Sequence, residues 1–100
     1  MIKHIVMFKF KEWAEGSDRA ANIKALKAKL EALTAQIDVI KFFEVGINFL
    51  DASVAYDLVL VSEFESKEAL FSYQEHPEHV LVAKFMGKVC DSRIVVDYVL

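Results

Sequence analysis

The spacing of apolar residues along the chain constrains its fold more than any other feature of the sequence. Apolar residues that alternate with polar ones are typical of a strand, and apolar residues that recur at three and four positions are typical of a helix. The predicted elements are a strand over residues 2–11, a helix over 15–36, strands over 39–49 and 54–64, helices over 66–74 and 77–90, and a strand over 93–99.

The order β-α-β-β-α-β, with the second helix broken at Pro77, predicts a ferredoxin-like α+β fold. In this arrangement four antiparallel strands form one sheet, and the helices cover one of its faces. The chain has 100 residues, which is the length of a single domain, so one domain over residues 1–100 is expected.

The chain carries more apolar material than a small monomer buries easily. Hydrophobic residues make up 55% of it and aromatic residues 12%. The sheet face opposite the helices is predicted to be apolar as well, whereas an open antiparallel sheet is ordinarily polar on that side. Two such faces packed together form a barrel-like homodimer. The candidate interface residues are Ile5, Met7, Val59, Val61, Val95 and Val99.

Composition and motifs exclude several classes of function. The net charge is −3 and there is no basic cluster, so no nucleic-acid partner is expected. The single cysteine, Cys90, cannot form an intramolecular disulfide and fits a reducing cytoplasmic location. The sequence has no run long enough to span a membrane, no secretory leader and no phosphate-binding or CxxC motif, so neither a membrane partner nor a cofactor is predicted.

The segment FSYQEHPEHV, residues 71–80, has two interpretations. Pro77 and Glu78 are typical of the first turn of a helix, so the segment is simply a helix start and Tyr73 a core residue. A metal site is not predicted, because Pro77 breaks the helical register that would align His76 with His79.

The second interpretation is a candidate active site built from three residues. A histidine in the first turn of a helix is favoured as the neutral ring, so His79 is the candidate general base, and Tyr73 is a candidate donor to a carbonyl group. His4 is the one polar residue on the apolar face of the first strand, where it would meet both across a cavity. The candidate pocket residues are Val6, Leu58, Leu60, Ile23 and Leu26.

Three segments, IKHIVMFKFK, FESKEALFSYQEHPEHV and VVDYV, resemble the stress-responsive A/B barrel domain (Dabb) family over essentially the whole chain. The resemblance implies a ferredoxin-like monomer and a homodimer with a barrel between its two sheets. A plant member is a polyketide cyclase that acts without a cofactor, and this chain is similar to it at His4, Tyr73 and His79. That similarity implies His79 as general base, Tyr73 as holder of the substrate carbonyl and His4 as a residue that lines or polarises the pocket.

Two functions therefore stay open at this stage. One is a homodimer that binds a small hydrophobic molecule in a cavity between sheet and helices, without chemistry of its own. The alternative is a cofactor-free enzyme of the polyketide cyclase, isomerase or monooxygenase type that uses His79 as its base.

Overall fold

The computed structural model describes all 100 residues and contains one four-stranded antiparallel sheet. The two strands that are central in this sheet pair with each other, and each also pairs with one edge strand. In chain order the strands of the sheet are β1 (Ile2–Phe10), β4 (Phe42–Ile47), β5 (Leu58–Phe64) and β6 (Cys90–Val99), and across the sheet the order is β4-β5-β1-β6. A small two-stranded hairpin, formed by β2 (Trp13–Ala14) and β3 (Ser17–Asp18), follows β1.

Three α-helices cover one face of the sheet, and each begins at a residue whose side chain caps it. Asp18 accepts a hydrogen bond from the Ala21 amide, Ser66 from Ala69, and His76 from Glu78. Such caps satisfy amide groups that have no partner within the helix. The helices are α1 (Arg19–Ala32), α2 (Lys67–Glu75) and α3 (Pro77–Val89), and a 3₁₀ turn (Leu33–Ala35) extends α1.

The core lies between the helices and the face of the sheet that they cover. Along β1 the residues alternate between buried and partly exposed, and Phe8 and Phe10 are fully buried. Leu26 and Leu30 of α1 pack into the same cluster, together with Phe64 of β5. The predicted ferredoxin-like α+β fold, with helices on one face of a four-stranded sheet, is thus confirmed.

β4 and β5 are shorter than the strands over residues 39–49 and 54–64 that the alternation of apolar residues predicts. Residues 48–57 form a loop that hydrogen bonds hold at both ends. The Asn48 side chain donates a hydrogen bond to the carbonyl of Leu50 and accepts one from its amide. The Asp57 carboxylate accepts a hydrogen bond from the amide of Phe10 at 2.7 Å. Apolar residues such as Val54 in this loop therefore produce an alternation that continues beyond the sheet.

The face of the sheet opposite the helices, called the open face below, is apolar at its centre. Ile5 and Met7 of β1 lie on it beside their partners in β5, Val61 and Val59. One end of this face carries charge, where Lys3 of β1 and Glu63 of β5 form an ion pair at 3.7 Å.

The register of β6 corrects part of the predicted interface. Val95 lies opposite Val6, and Val99 lies opposite Ile2. Directly opposite residues of an antiparallel pair share a face, so Val95 and Val99 lie on the helix side of the sheet and not on the open face. The prediction was wrong for these two because a one-residue choice of phase moves every side chain to the other face. The β6 residues on the open face are Ile94, Val96 and Tyr98.

Candidate functional site

Three elements bring His4, Tyr73 and His79 together on the helix side of the sheet. His4 comes from β1, Tyr73 from α2 and His79 from the first turn of α3. The ring centroids of Tyr73 and His79 are 4.5 Å apart, and those of Tyr73 and His4 are 6.3 Å apart. All three side chains line a cavity of about 260 Å³. Its other lining residues are Val6, Phe8, Leu60, Gln74, Ala83, Met86, Arg93 and Val95.

His4 is held in place by contacts on β6 and β5. The Asp97 carboxylate of β6 accepts a hydrogen bond from its Nδ1, and this bond fixes the orientation of the ring. The Ser62 hydroxyl donates to the His4 carbonyl at 3.0 Å. His4 is 5% exposed, so it is a buried polar residue that the sheet accommodates through Asp97.

Tyr73 is fully buried, and its hydroxyl hydrogen-bonds with no group of the protein. Its ring packs against Phe64 and Phe43, with centroid distances of 4.9 and 6.1 Å. Burial raises the pKa of the phenol, so the group stays protonated and able to donate. A buried hydroxyl without a protein partner is uncommon, since such a group costs roughly 1–3 kcal/mol when it is left unpaired.

His79 is half-buried and bonded through one ring nitrogen only. Its Nδ1 lies 3.1 Å from the Gln74 carbonyl at the end of α2, so Nδ1 donates to that oxygen and Nε2 keeps its lone pair. Burial lowers the pKa of His79, and the charges of His4 and Arg93 lower it further, while the bond to Gln74 opposes them. The ring is therefore neutral at pH 7 and able to accept a proton at Nε2.

The pocket walls differ in part from the predicted set. Val6 and Leu60 line the cavity. Leu58, Ile23 and Leu26 are buried elsewhere in the core and do not line it. α3 supplies walls that were not predicted, Ala83 and Met86, because α3 rather than α1 lies beside His4.

Two polar residues of β6 were missed by sequence reasoning. Asp97 bonds His4, and Arg93 is among the residues that line the cavity. Both lie on the alternation of β6 that was assigned to the wrong face, so the phase error that misplaced Val95 also concealed them.

The titratable side chains near the cavity differ in their protonation and in their grouping. No three His, Cys, Asp or Glu side chains are grouped closely enough to hold a metal ion. Cys90 is a free thiol, and burial raises its pKa to about 11, which leaves it protonated and weakly nucleophilic at pH 7. At the cavity, the neutral His79 ring has a nitrogen able to accept a hydrogen bond, and the Tyr73 hydroxyl is able to donate one.

The Stress responsive A/B Barrel Domain family matches residues 2–100, so the chain belongs to this family. No helix of the structure is long and apolar enough to cross a membrane.

Three similar proteins illustrate the range of relatives. A stress-response A/B barrel domain-containing protein of Arabidopsis thaliana is 34% identical over 99% of this chain, which spans only 36% of that protein's length. An uncharacterized protein of Streptomyces coelicolor is 35% identical over 79% of each chain. A dimeric protein of unknown function with a ferredoxin-like fold from Bacteroides fragilis has a TM-score of 0.86 and 34% identity, with 99% of this chain and 95% of that chain covered.

Proposed function

We propose that this protein is a homodimer that binds a small hydrophobic molecule in the cavity between sheet and helices. The observation that carries the proposal is the Tyr73 hydroxyl, which is buried at the cavity and bonds no protein group. Within the core such a hydroxyl serves no protein hydrogen bond, whereas it is well placed to donate to a bound ligand.

The walls and polar groups of the cavity support a particular class of ligand. Its walls are mainly hydrophobic, among them Val6, Leu60 and Met86, so the body of the ligand is apolar. Tyr73 donates and the Nε2 of His79 accepts, so the ligand carries a polar group such as a carbonyl or amide. A volume of about 260 Å³ lies below the roughly 300–1,000 Å³ of pockets for drug-sized ligands, which favours a smaller molecule.

The substitution Tyr73→Phe tests the ligand site. We expect its affinity for 3-phenylpropanamide to fall about tenfold, the value of one hydrogen bond of roughly 1.4 kcal/mol. We expect the melting temperature to stay the same or rise, because no protein hydrogen bond is removed. Isothermal titration calorimetry gives the affinity, and thermal unfolding followed by circular dichroism gives the stability.

The matched control is Tyr56→Phe, since Tyr56 lies beside Lys9 and does not line the cavity. This variant should bind the amide as the wild type does. A melting temperature of Tyr73→Phe several degrees below the wild type, with unchanged binding, would show that the hydroxyl is structural and would contradict the proposal.

The open face supports the homodimer. Its centre is apolar, and Ile94 and Val96 at its β6 side are 47% and 51% exposed in one chain. Beside it the loop 48–57 places Phe49 and Val54 around a groove of about 530 Å³ that Met7 and Val59 also line. An apolar surface of this extent indicates an interaction site. The Bacteroides fragilis protein described as dimeric shares this fold.

A reducing cytoplasmic location, which suits the free thiol of Cys90, is part of the same proposal.

A second candidate function is cofactor-free acid–base catalysis of the polyketide cyclase or isomerase type. The observation that favours it is the state of His79, a neutral ring with a free Nε2 that lies beside the Tyr73 hydroxyl. A carbonyl that accepts from Tyr73 would place its adjacent C–H group near this base. Removal of that proton gives an enolate, and Tyr73 would stabilise its oxygen.

A further inference from the structure

Arg93 is the one permanently charged side chain that lines the cavity. Its companions are apolar residues, a glutamine, a tyrosine and two histidines, and no carboxylate is among them. Burial is the main cause of the lowered pKa of His79, and the positive charge of Arg93, another lining residue, lowers this pKa further. The cavity therefore has apolar walls and one positive end.

The guanidinium has no anionic partner within the protein. No carboxylate lies within 4 Å of it, and its only side-chain hydrogen bond is a weak one to the sulfur of Met86 at 3.8 Å. Asp97 lies on the same face of β6 but four residues further on, roughly 13 Å along an extended strand. Asp97 is moreover engaged by His4. Arg93 thus keeps its donors free for a ligand.

We propose that the molecule bound in this cavity is a small hydrophobic monocarboxylate whose carboxylate is held by Arg93. A guanidinium matches a carboxylate with two parallel hydrogen bonds, and such charged bonds are stronger than neutral ones. Arg93 is the one permanent cation of the walls, so it balances one negative charge, and a phosphate with two charges is not balanced. The apolar body lies against Val6, Leu60 and Met86. The inference rests on the proposed binding function and adds the charge of the ligand to it.

The test compares two probes of nearly the same shape, 3-phenylpropanoate and its neutral amide, by isothermal titration calorimetry at neutral pH and low salt. We expect the wild-type protein to bind the acid about tenfold more tightly than the amide, the effect of one charge-assisted contact. In Arg93→Gln the acid should lose this advantage and bind within about twofold of the amide, because Gln keeps a donor but not the charge.

Lys84→Gln is the matched control, since it removes one positive charge from an exposed residue of the neighbouring helix α3 that does not line the cavity. This variant should keep the tenfold preference for the acid. Equal melting temperatures of the two variants show that both are folded.

Three results would overturn the inference. One is an acid preference that survives in Arg93→Gln, and another is its loss to the same extent in Lys84→Gln. The third is equal binding of acid and amide by the wild type. That result would contradict a carboxylate ligand but would leave the proposed binding function intact. Binding of neither probe would overturn the proposed function as well as the inference, so the two failures are distinguishable.

Discussion

Val61→Asp is expected to convert the protein from a dimer to a folded monomer. Val61 lies at the centre of the open face, beside Ile5. In the proposed dimer each copy of the new carboxylate would be buried without a partner, at a cost of several kcal/mol. Such a cost weakens association by at least about two orders of magnitude. Sedimentation equilibrium at micromolar concentration should give the chain mass of 11.4 kDa for the variant and twice that mass for the wild type.

Val59→Asp should behave in the same way, since Val59 lies on the same face opposite Met7. The matched control is Val80→Asp, which changes a 40% exposed valine of α3 on the helix side of the molecule. That variant should stay dimeric. A wild-type protein that sediments as a monomer, or a Val61→Asp variant that remains a dimer, would contradict the proposed interface.

His79→Gln is expected to abolish proton exchange at a bound ketone, if the cavity performs acid–base chemistry. The assay follows the exchange of the hydrogens next to the carbonyl of 4-phenyl-2-butanone for deuterium, by NMR in D₂O. The wild type should exchange them faster than buffer does, and loss of a positioned general base costs about 10²- to 10⁴-fold in rate. Gln keeps a polar side chain of similar reach but accepts no proton.

The pH dependence of this exchange follows from the lowered pKa of His79. The pKa of His79 lies below the ordinary histidine pKa of 6.5, so the ring is neutral at pH 7. It therefore stays active as a base when the pH falls from 7 to 6.5. The rate should then decline as the pH drops through the lowered pKa, since the imidazolium cannot accept a proton.

The control for this experiment is His76→Asn, which removes the neighbouring imidazole and keeps a side chain able to cap α3. It should exchange at the wild-type rate. Equal rates for the wild type and His79→Gln would exclude His79 as a base toward this ketone and leave binding as the function of the cavity.

The sequence predicted the order of the four sheet strands and the three helices, because each of them carries its own periodicity, but not the short hairpin of β2 and β3 where the first helix was expected to begin. It also predicted that His4 would meet Tyr73 and His79. His4 interrupts an otherwise apolar strand face, and Pro77 fixes where α3 begins, so the first turn that carries His79 could be located. In a fold with this order of elements the helices cover one face of the sheet, so the first turn of α3 lies over the face that carries His4.

The remainder of the site depended on contacts between distant parts of the chain. Asp97 reaches His4 from 93 positions away, and only the register of β6 against β1 brings them together. Apolar residues occupy both faces of β6, with Ile94 and Val96 on one and Val95 and Val99 on the other, so hydrophobicity does not fix its phase. Which helix lies beside the cavity is likewise decided by packing. For that reason α1 residues were predicted where Ala83 and Met86 of α3 line the pocket.

The ligand site is the central claim, and the position of a bound probe tests it most directly. The measurement is a crystal structure of the wild-type protein with 3-phenylpropanamide. We expect the phenyl group among the apolar walls and the amide oxygen within about 3.2 Å of the Tyr73 hydroxyl, which is hydrogen-bond distance. A probe bound elsewhere, or a Tyr73 hydroxyl that bonds a protein group while the cavity stays free of the probe, would contradict the account.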